Sequence, residues 1–461
     1  MNAKIKSDDS SVSRRDFIRL GSAAGVGAAL ACMALNSCGK MEISTVAGAA
    51  KVAPIETVKL GIVGVGNMGS AHFQNFLRIE GVEIVAVCDL MEDTVKRMQE
   101  WAREAGKNEP KGYFRGETDF KRMCSEEDLD LVFTATPWNW HVPVMVEAMK
   151  TGSHAATEVP AATSLDECWE MVEAAEKFNK HCVMMENVCY MEPEMMIYNM
   201  VQQGVFGELL HGEGAYSHDM RNNLLGSAYV GDWWTHEIIA RNGNLYPTHG
   251  LGPIAQCMDI SRGDRFDYLV SMSSNARGLH EYATEHLGPD HEFSKVKFKC
   301  GDVNISMIKT FKGKTIYLVQ DTNLPRPYSR INLVQGTKGI TQGFRDLTHE
   351  NLIHIEGLSE AHTWEPLMDY KNKYRHPLIS QMENLAEGAG HGGADFIEDY
   401  RLIHCLRNGL PTDMDVYEAA DWSVVSGLTE ISIANRSSSV DFPDFTRGLW
   451  KTRTPLGIIS V

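Results

Sequence analysis

The sequence predicts an α/β protein in two parts: a doubly wound parallel sheet, then an α+β domain with a large open antiparallel sheet. Three observations predict it. Short, continuously apolar runs alternate with helical stretches up to about residue 188, as in a parallel sheet covered on both faces. Beyond residue 190, longer segments alternate apolar and polar positions and are joined by turns such as Lys312-Gly313-Lys314. A glycine cluster, Gly64-Val65-Gly66-Asn67-Met68-Gly69, marks the first strand-to-helix junction.

Length and charge bound the rest. A chain of 461 residues exceeds what one core usually organises and implies two domains. With 44 Lys and Arg against 61 Asp and Glu the net charge is −17, and removing residues 1–37 makes it −19. Such a field repels nucleic acid, so a nucleic-acid partner is excluded.

The N-terminus reads as an address. Ser13-Arg14-Arg15-Asp16-Phe17-Ile18 resembles a twin-arginine export motif, and the small-sided run Gly21 to Leu35 is too short to span a bilayer. Leu35-Asn36-Ser37-Cys38 resembles a lipobox, which would make an acylated Cys38 the new N-terminus and the chain's one membrane contact. Residues 1–37 are thus expected to be a signal and 38–56 a flexible tether. The expected location is periplasmic or cell-surface, reached through the twin-arginine machinery. That route carries folded proteins, which suits a chain that acquires a cofactor before export.

The first domain is expected over 57–188. Thr57 to Val63 is a buried-strand pattern running into the glycine cluster, with helix to about Ile79. "VEIVAVCD" (82–89) is the next strand and ends in Asp89, 20 residues after Gly69. Strand, glycines, helix, strand and terminal acid at this spacing form a dinucleotide-binding fingerprint of the Rossmann type. Gly64, Gly66, Asn67, Met68 and Gly69 would bring backbone and helix N-terminus to the pyrophosphate, and Asp89 would accept from the ribose hydroxyls. Leu90 and Met91 follow with no basic residue, which selects NAD over NADP. "DLVFTATP" (130–137), "SHAATEVP" (153–160) and "KHCVMMENV" (180–188) continue the sheet, the last as its sixth strand. Ligands lie beyond the carboxyl ends of such strands, so Pro137, Trp138, Trp140, His141, Glu158, Val159 and Asn187 are expected on the nicotinamide side.

The second domain is expected over 189–461. "MEPEMMIYNMVQQGVFGEL" reads as helix, with Met195, Met196 and Met200 in the core. "LLHGEGAYSH", "FDYLVSMSSN", "VKFKCGDVNISMIKTFKG", "KTIYLVQDTN" and "SRINLVQGTKG" read as strands. His218, Asp219 and Arg221 read as a solvated loop. "GADFIEDYRLIHCLRNG" reads as an amphipathic helix packing back on the first domain. The eight cysteines beyond Cys38 form no CxxC and no zinc spacing, so buried thiols are expected and no metal centre.

These elements together resemble the glucose–fructose oxidoreductase / inositol dehydrogenase superfamily, whose dehydrogenases carry Glu-Lys-Pro where this chain has Glu158-Val159-Pro160. More narrowly, "TPWNWH", "TEVP", "GNLYPTHGLGPIAQ", "RGDRFDYLVSMSSNARG", "FKCGDVNISMIKTFKGKTI", "PRPYSRINLVQGTKG" and "HGGADF" resemble glycoside hydrolase family 109, the NAD-dependent α-N-acetylgalactosaminidases. The resemblance spans most of residues 57–448. It implies a tightly held NAD recycled within each turnover: C3 of the sugar is oxidised, the C2 proton is removed, and the glycosidic oxygen leaves C1. Water then adds at C1, and C2 and C3 are restored.

The resemblance also supplies roles. His249 would act at the C3 hydroxyl or the C2 proton; Tyr246 and Tyr328 would transfer protons or bind hydroxyls; Tyr216 would contact the sugar; Glu158 would orient the nicotinamide ribose or the substrate. Family members tend to carry a Trp-Arg pair before "NLYPTH", the arginine reaching the substrate. Here the pair is Trp233-Trp234, with His236 or Arg241 as candidates to compensate. That exchange leaves the sugar and anomer open. A sugar oxidoreductase is the alternative, and the missing lysine argues against it.

Overall fold

Thr57 to Val63 can only be satisfied inside a sheet, and that is where the chain puts it. The computed structural model describes residues 52–226, 232–343 and 351–461. The export motif, the run to Leu35 and Cys38 lie outside the described residues. Six strands form the first sheet: β1 (Val58–Val63), β2 (Val82–Cys88), β3 (Lys111–Tyr113), β4 (Leu131–Thr134), β5 (His154–Thr157) and β6 (Cys182–Met184). Their order is β3-β2-β1-β4-β5-β6 and every pairing is parallel. The order reverses beside β1, so the crevice at its carboxyl end is the switch point where such sheets bind ligands. All residues of β4, β5 and β6 are buried, because helices cover both faces. The third strand is only three residues long and carries no pattern that its sequence would announce.

The second sheet has nine strands: β7 (Leu209–Ser217), β8 (Phe266–Ser273), β9 (Val303–Thr310), β10 (Thr315–Asp321), β11 (Leu333–Gly336), β12 (Gly339–Gln342), β13 (Leu352–Ile355), β14 (Glu365–Pro366) and β15 (Val440–Asp441). Their order is β14-β13-β12-β11-β7-β10-β9-β8-β15. The sheet is antiparallel except at its centre, where β7 and β10 run parallel. The parallel step arises because helices and the strands β8 and β9 intervene in sequence between those two strands.

Two sequence expectations are corrected here. Residues 52–56 are not a free tether: Ile55 donates to Leu406 O at 3.2 Å, and Arg407 Nε donates to Glu56 O at 3.1 Å. The helix Ala394–Asn408 is not amphipathic in effect. Its polar residues Asp395, Glu398, Asp399 and Arg401 are buried along with its apolar ones. Asp399 accepts from His72 Nδ1 at 2.8 Å and from Asn75 Nδ2 at 2.9 Å, which ties this helix into the helix Asn67–Arg78 of the first domain. His72 Nε2 meets Glu158 Oε1 at 2.7 Å, so one imidazole joins two elements of the first domain to the C-terminal helix.

Candidate active site

The glycine cluster divides its labour. Gly64 has φ +78°, and a Cβ there would stand 2.8 Å from Ala135 O; a Cβ at Gly69 would stand 1.9 Å from Gly64 O. Those two close the turn and the helix–strand contact. Nothing lies within 4 Å of a Cβ at Gly66, which leaves the space before the helix open for a ligand. The helix Asn67–Arg78 starts at Asn67-Met68-Gly69 with no side-chain cap and no acid in its first turn, so its N–H groups are available to an anion. Asp89 is held in place by the N–H groups of Val65 and Met91, each at 2.9 Å. Leu90 and Met91 beside it are exposed and uncharged. These residues fit NAD: a pyrophosphate at the helix start, a ribose diol at Asp89, and no cation to attract a 2′-phosphate.

Beyond the strand ends the other predicted residues separate. Trp138 is buried and stacks on Tyr246 with ring centroids 5.6 Å apart. It therefore stands in the aromatic cluster with the sugar-side residues. Trp140 turns away and packs edge-on against Phe120 at 6.0 Å. His141 is 1% exposed, with its ring nitrogens on Pro160 O and Thr136 O, both at 2.8 Å. Burial pushes its pKa down. It fastens the loop after β4 to the loop after β5, and its ring has no face left for a cofactor. Pro137 is half-buried at the start of that first loop, and Val159 is buried with its N–H on the Glu158 carboxylate at 3.2 Å. Asn187 turns its amide to Asp395 Oδ1 at 2.7 Å.

His249 comes from the first turn of the helix Thr248–Cys257. That helix lies hard against β7, because a Cβ at Gly214 would stand 2.0 Å from Gly250 O. The close approach carries His249 to Glu186, at the end of β6. Glu186 is 0% exposed and takes the Nδ1–H of His249 on Oε1 at 2.6 Å. The same oxygen accepts from Val188 N at 3.2 Å. Nε2 of His249 lies 3.3 Å from the Tyr246 hydroxyl. Burial holds the Tyr246 pKa well above the ordinary phenol value, so this hydroxyl keeps its proton.

Tyr216 and Tyr328 complete the cluster. The Tyr216 ring lies 4.7 Å from Tyr246 and 5.5 Å from His249. Tyr328 stands edge-on to Tyr216 at 6.0 Å and accepts from Arg330 Nη1 at 3.3 Å. Arg330 is in turn paired with buried Glu194 at 3.1 Å. His218 belongs here as well: its Nδ1 is 3.1 Å from the Tyr216 hydroxyl and its ring 4.8 Å from Tyr328. The solvated-loop reading of His218 is thereby corrected, while Asp219 and Arg221 pair with each other.

Trp234, where the resemblance implies an arginine, is packed among aromatic rings. Trp234 lies 4.9 Å from Trp138 and 5.0 Å from Tyr246, and its Nε1 is buried with no hydrogen-bond partner among the described residues. Neither residue suggested as a compensator stands in this cluster. His236 is exposed, two residues along the helix from Trp234 and therefore turned to its opposite side. Arg241 is tied to Glu237, Glu430, Ser426 and the carbonyl of Thr163.

A family profile described as "Oxidoreductase family, NAD-binding Rossmann fold" matches residues 58–186, and one described as "Glycosyl hydrolase 109, C-terminal domain" matches 190–452. This chain belongs to glycosyl hydrolase family 109. A family 109 protein of Shewanella pealeana is 45% identical over 458 residues, covering 97% of this chain and 99% of that one. A second, from Solibacter usitatus, is 46% identical over 447 residues, covering 96% and 99%. Among solved structures, levoglucosan dehydrogenase in complex with NADH and L-sorbose aligns with a TM-score of 0.67 at 18% identity, covering 85% of this chain and 100% of that one. Myo-inositol 2-dehydrogenase from Lactobacillus plantarum aligns at 0.57 and 16%, covering 84% and 100%. The family 109 chain described here is thus an enzyme acting on sugars, with NAD as its cofactor.

Sequence reasoning singled out His249 but not Glu186, its partner. The signal was present as an acid directly before Asn187 at a strand end, where a sheet of this kind places ligands. His72 and Asp399 gave no local signal at all; His391 and Asp395 lie in the string "HGGADF", which marked the family but no role for either residue.

Proposed function

We propose that this chain is an exported NAD-dependent glycosidase that removes a terminal α-linked N-acetylgalactosamine, or a related hexosaminide, with no net redox change. The observation that carries the reading is the His249–Glu186 pair. Its hydrogen bond at 2.6 Å fixes the tautomer with the proton on Nδ1 and leaves Nε2 bare. An imidazole held in this way removes a proton at Nε2, and the buried carboxylate stabilises the cation that results.

NAD, when bound, supplies the acceptor for the C3 hydride and the donor that returns it, while the C3 hydroxyl proton is lost to solvent and regained from it. Beside a C3 ketone the C2 proton is acidic, and His249 Nε2 is the base to take it. The C1–O bond then breaks, water adds at C1, and the same nitrogen, its proton exchanged with solvent, returns one to C2. Tyr246, protonated and 3.3 Å from that nitrogen, donates to the sugar hydroxyl. Tyr216 and Tyr328 flank the ring. Glu158 stands at the end of β5, oriented by His72 at 2.7 Å. The indole of Trp234 supports recognition by stacking in place of a charged contact, so the N-acetyl and anomer preferences rest on shape.

The leader supports export through the motif Ser13 to Ile18, with Cys38 as a lipid-bearing cysteine. A redox-neutral cycle suits that location, because one bound cofactor serves without a pool to replenish it.

The test uses 4-nitrophenyl α-N-acetylgalactosaminide in heavy water with no added cofactor. The expected product is free sugar carrying one deuterium at C2. Release without deuterium would mean direct hydrolysis. Accumulation of an oxidised sugar with reduced cofactor would mean a sugar oxidoreductase.

A further inference from the structure

Two adjacent residues at the end of β6 hold two histidines. Glu186 takes the Nδ1–H of His249. Its neighbour Asn187 donates to Asp395 Oδ1 at 2.7 Å, and Asp395 holds Nδ1 of His391 at 2.8 Å. A second imidazole–carboxylate pair is therefore anchored one residue from the first. In it the carboxylate side chain is 2% exposed and the imidazole 48%. Nε2 of His391 makes no hydrogen bond among the described residues.

The backbone is shaped to present this ring. His391 has φ 48° and ψ 41°, a left-handed conformation uncommon for a residue with a Cβ, and Gly392 and Gly393 continue at φ 69° and 96°. At Gly390 a Cβ would stand 2.3 Å from Asp395 Oδ2, so the loop closes on the carboxylate only with glycine there. Asn187 Nδ2 also lies 3.3 Å from Nδ1 of His391, so the ring is held against the end of β6, one residue from the carboxylate that holds His249.

The geometry points to His391 as the acid that protonates the departing glycosidic oxygen, with Asp395 as its positioning residue. This rests on the glycosidase reading above. As the C1–O bond breaks, its electron pair stays on the oxygen, which takes the proton from His391 Nε2. When water bonds to C1 it gives a proton to the same nitrogen. The C2 proton leaves to His249 and one exchanged with solvent returns from it, so both histidines end as they began. The hydrogen bond to Asp395 raises the His391 pKa against the opposing effect of burial, which favours the protonated ring that an acid needs.

His391→Asn is the informative variant, because asparagine tolerates left-handed backbone and the side chain is half exposed. Its kcat/KM is compared with that of the unaltered enzyme on methyl and 4-nitrophenyl α-N-acetylgalactosaminides. Nitrophenolate departs without a proton, whereas methoxide needs one. The expected loss is about 100-fold on the methyl glycoside and less than about 10-fold on the nitrophenyl one. Sugar released in heavy water by either enzyme should still carry deuterium at C2. Equal losses on both substrates, or no loss on the methyl glycoside, would overturn the acid role. No sugar release, or no deuterium, with the unaltered enzyme would overturn the underlying reading and this role with it. Asp395→Asn should show the same split between substrates; a uniform loss would reduce Asp395 to a structural contact.

Discussion

His249 and His72 are both imidazoles bonded to buried carboxylates, and the difference between them separates chemistry from architecture. His72 is 0% exposed, with Asp399 on one nitrogen and Glu158 on the other. Burial opposes its charge, yet the two carboxylates hold its pKa well above the ordinary imidazole value. A ring clamped at both nitrogens has no way to exchange a proton with a ligand. His249 gives only Nδ1 to a carboxylate, keeps Nε2 beside a tyrosine hydroxyl, and has a side chain 14% exposed. The carboxylate is common to both; what the second nitrogen meets decides the role.

The comparison breaks most sharply at Glu186. Glu186→Gln keeps the shape, and its amide oxygen can still accept from Nδ1 and from Val188 N, but it removes the charge that stabilises the imidazolium. The expected fall in kcat is about 10³- to 10⁴-fold, as when the orienting carboxylate of a catalytic histidine is made an amide. Thermal unfolding should move little. A variant that kept its turnover would show that His249 needs no orienting carboxylate.

The same comparison tells why the sequence was legible in some places and silent in others. The first sheet was readable because β4, β5 and β6 are buried throughout and the glycine cluster is local. His249 was readable from a string shared with a family. Glu186 was missed because it meets His249 across 63 positions, and His72 meets Asp399 across 327. No periodicity reports a contact at such separations. The helix Ala394–Asn408 misled for a related reason. Its polar positions suggest a solvated face, but Glu398 is 2% exposed and burial pushes its pKa well above the carboxylate range. Trp140 and His141 adjoin a strand end, as ligand contacts do, yet their rings turn to Phe120 and to two carbonyls.

At His72 the expected effect is on stability. His72→Gln strips the cation from two carboxylates, one of them fully buried, and breaking a buried pair costs about 3–5 kcal/mol. The pH dependence has a definite sign. A histidine whose folded pKa is raised contributes its full stability below the unfolded value of about 6.5 and loses it as pH rises through the folded value. The gap in unfolding free energy between the unaltered chain and the variant should therefore be widest in mild acid and narrow on the alkaline side. Denaturant unfolding at several pH values measures it, and a gap that widened with pH would mean that His72 folds uncharged.

The smallest effect is expected at a third pair, which has the same groups without the burial. His211 on β7 lies 3.4 Å from Glu213 on its own strand, with side chains 26% and 33% exposed. Its Nδ1 meets Thr315 Oγ1 at 2.9 Å across the parallel β7–β10 contact. Solvent screens a contact this open, and exposed pairs contribute about 0–1 kcal/mol. His211→Gln retains a donor for Thr315 and should leave both kcat and the unfolding midpoint near those of the unaltered chain. A loss of several kcal/mol here would mean that pairing with a carboxylate, irrespective of burial, is what stabilises the histidines of this fold, and the contrast between His72 and His249 would then need another cause.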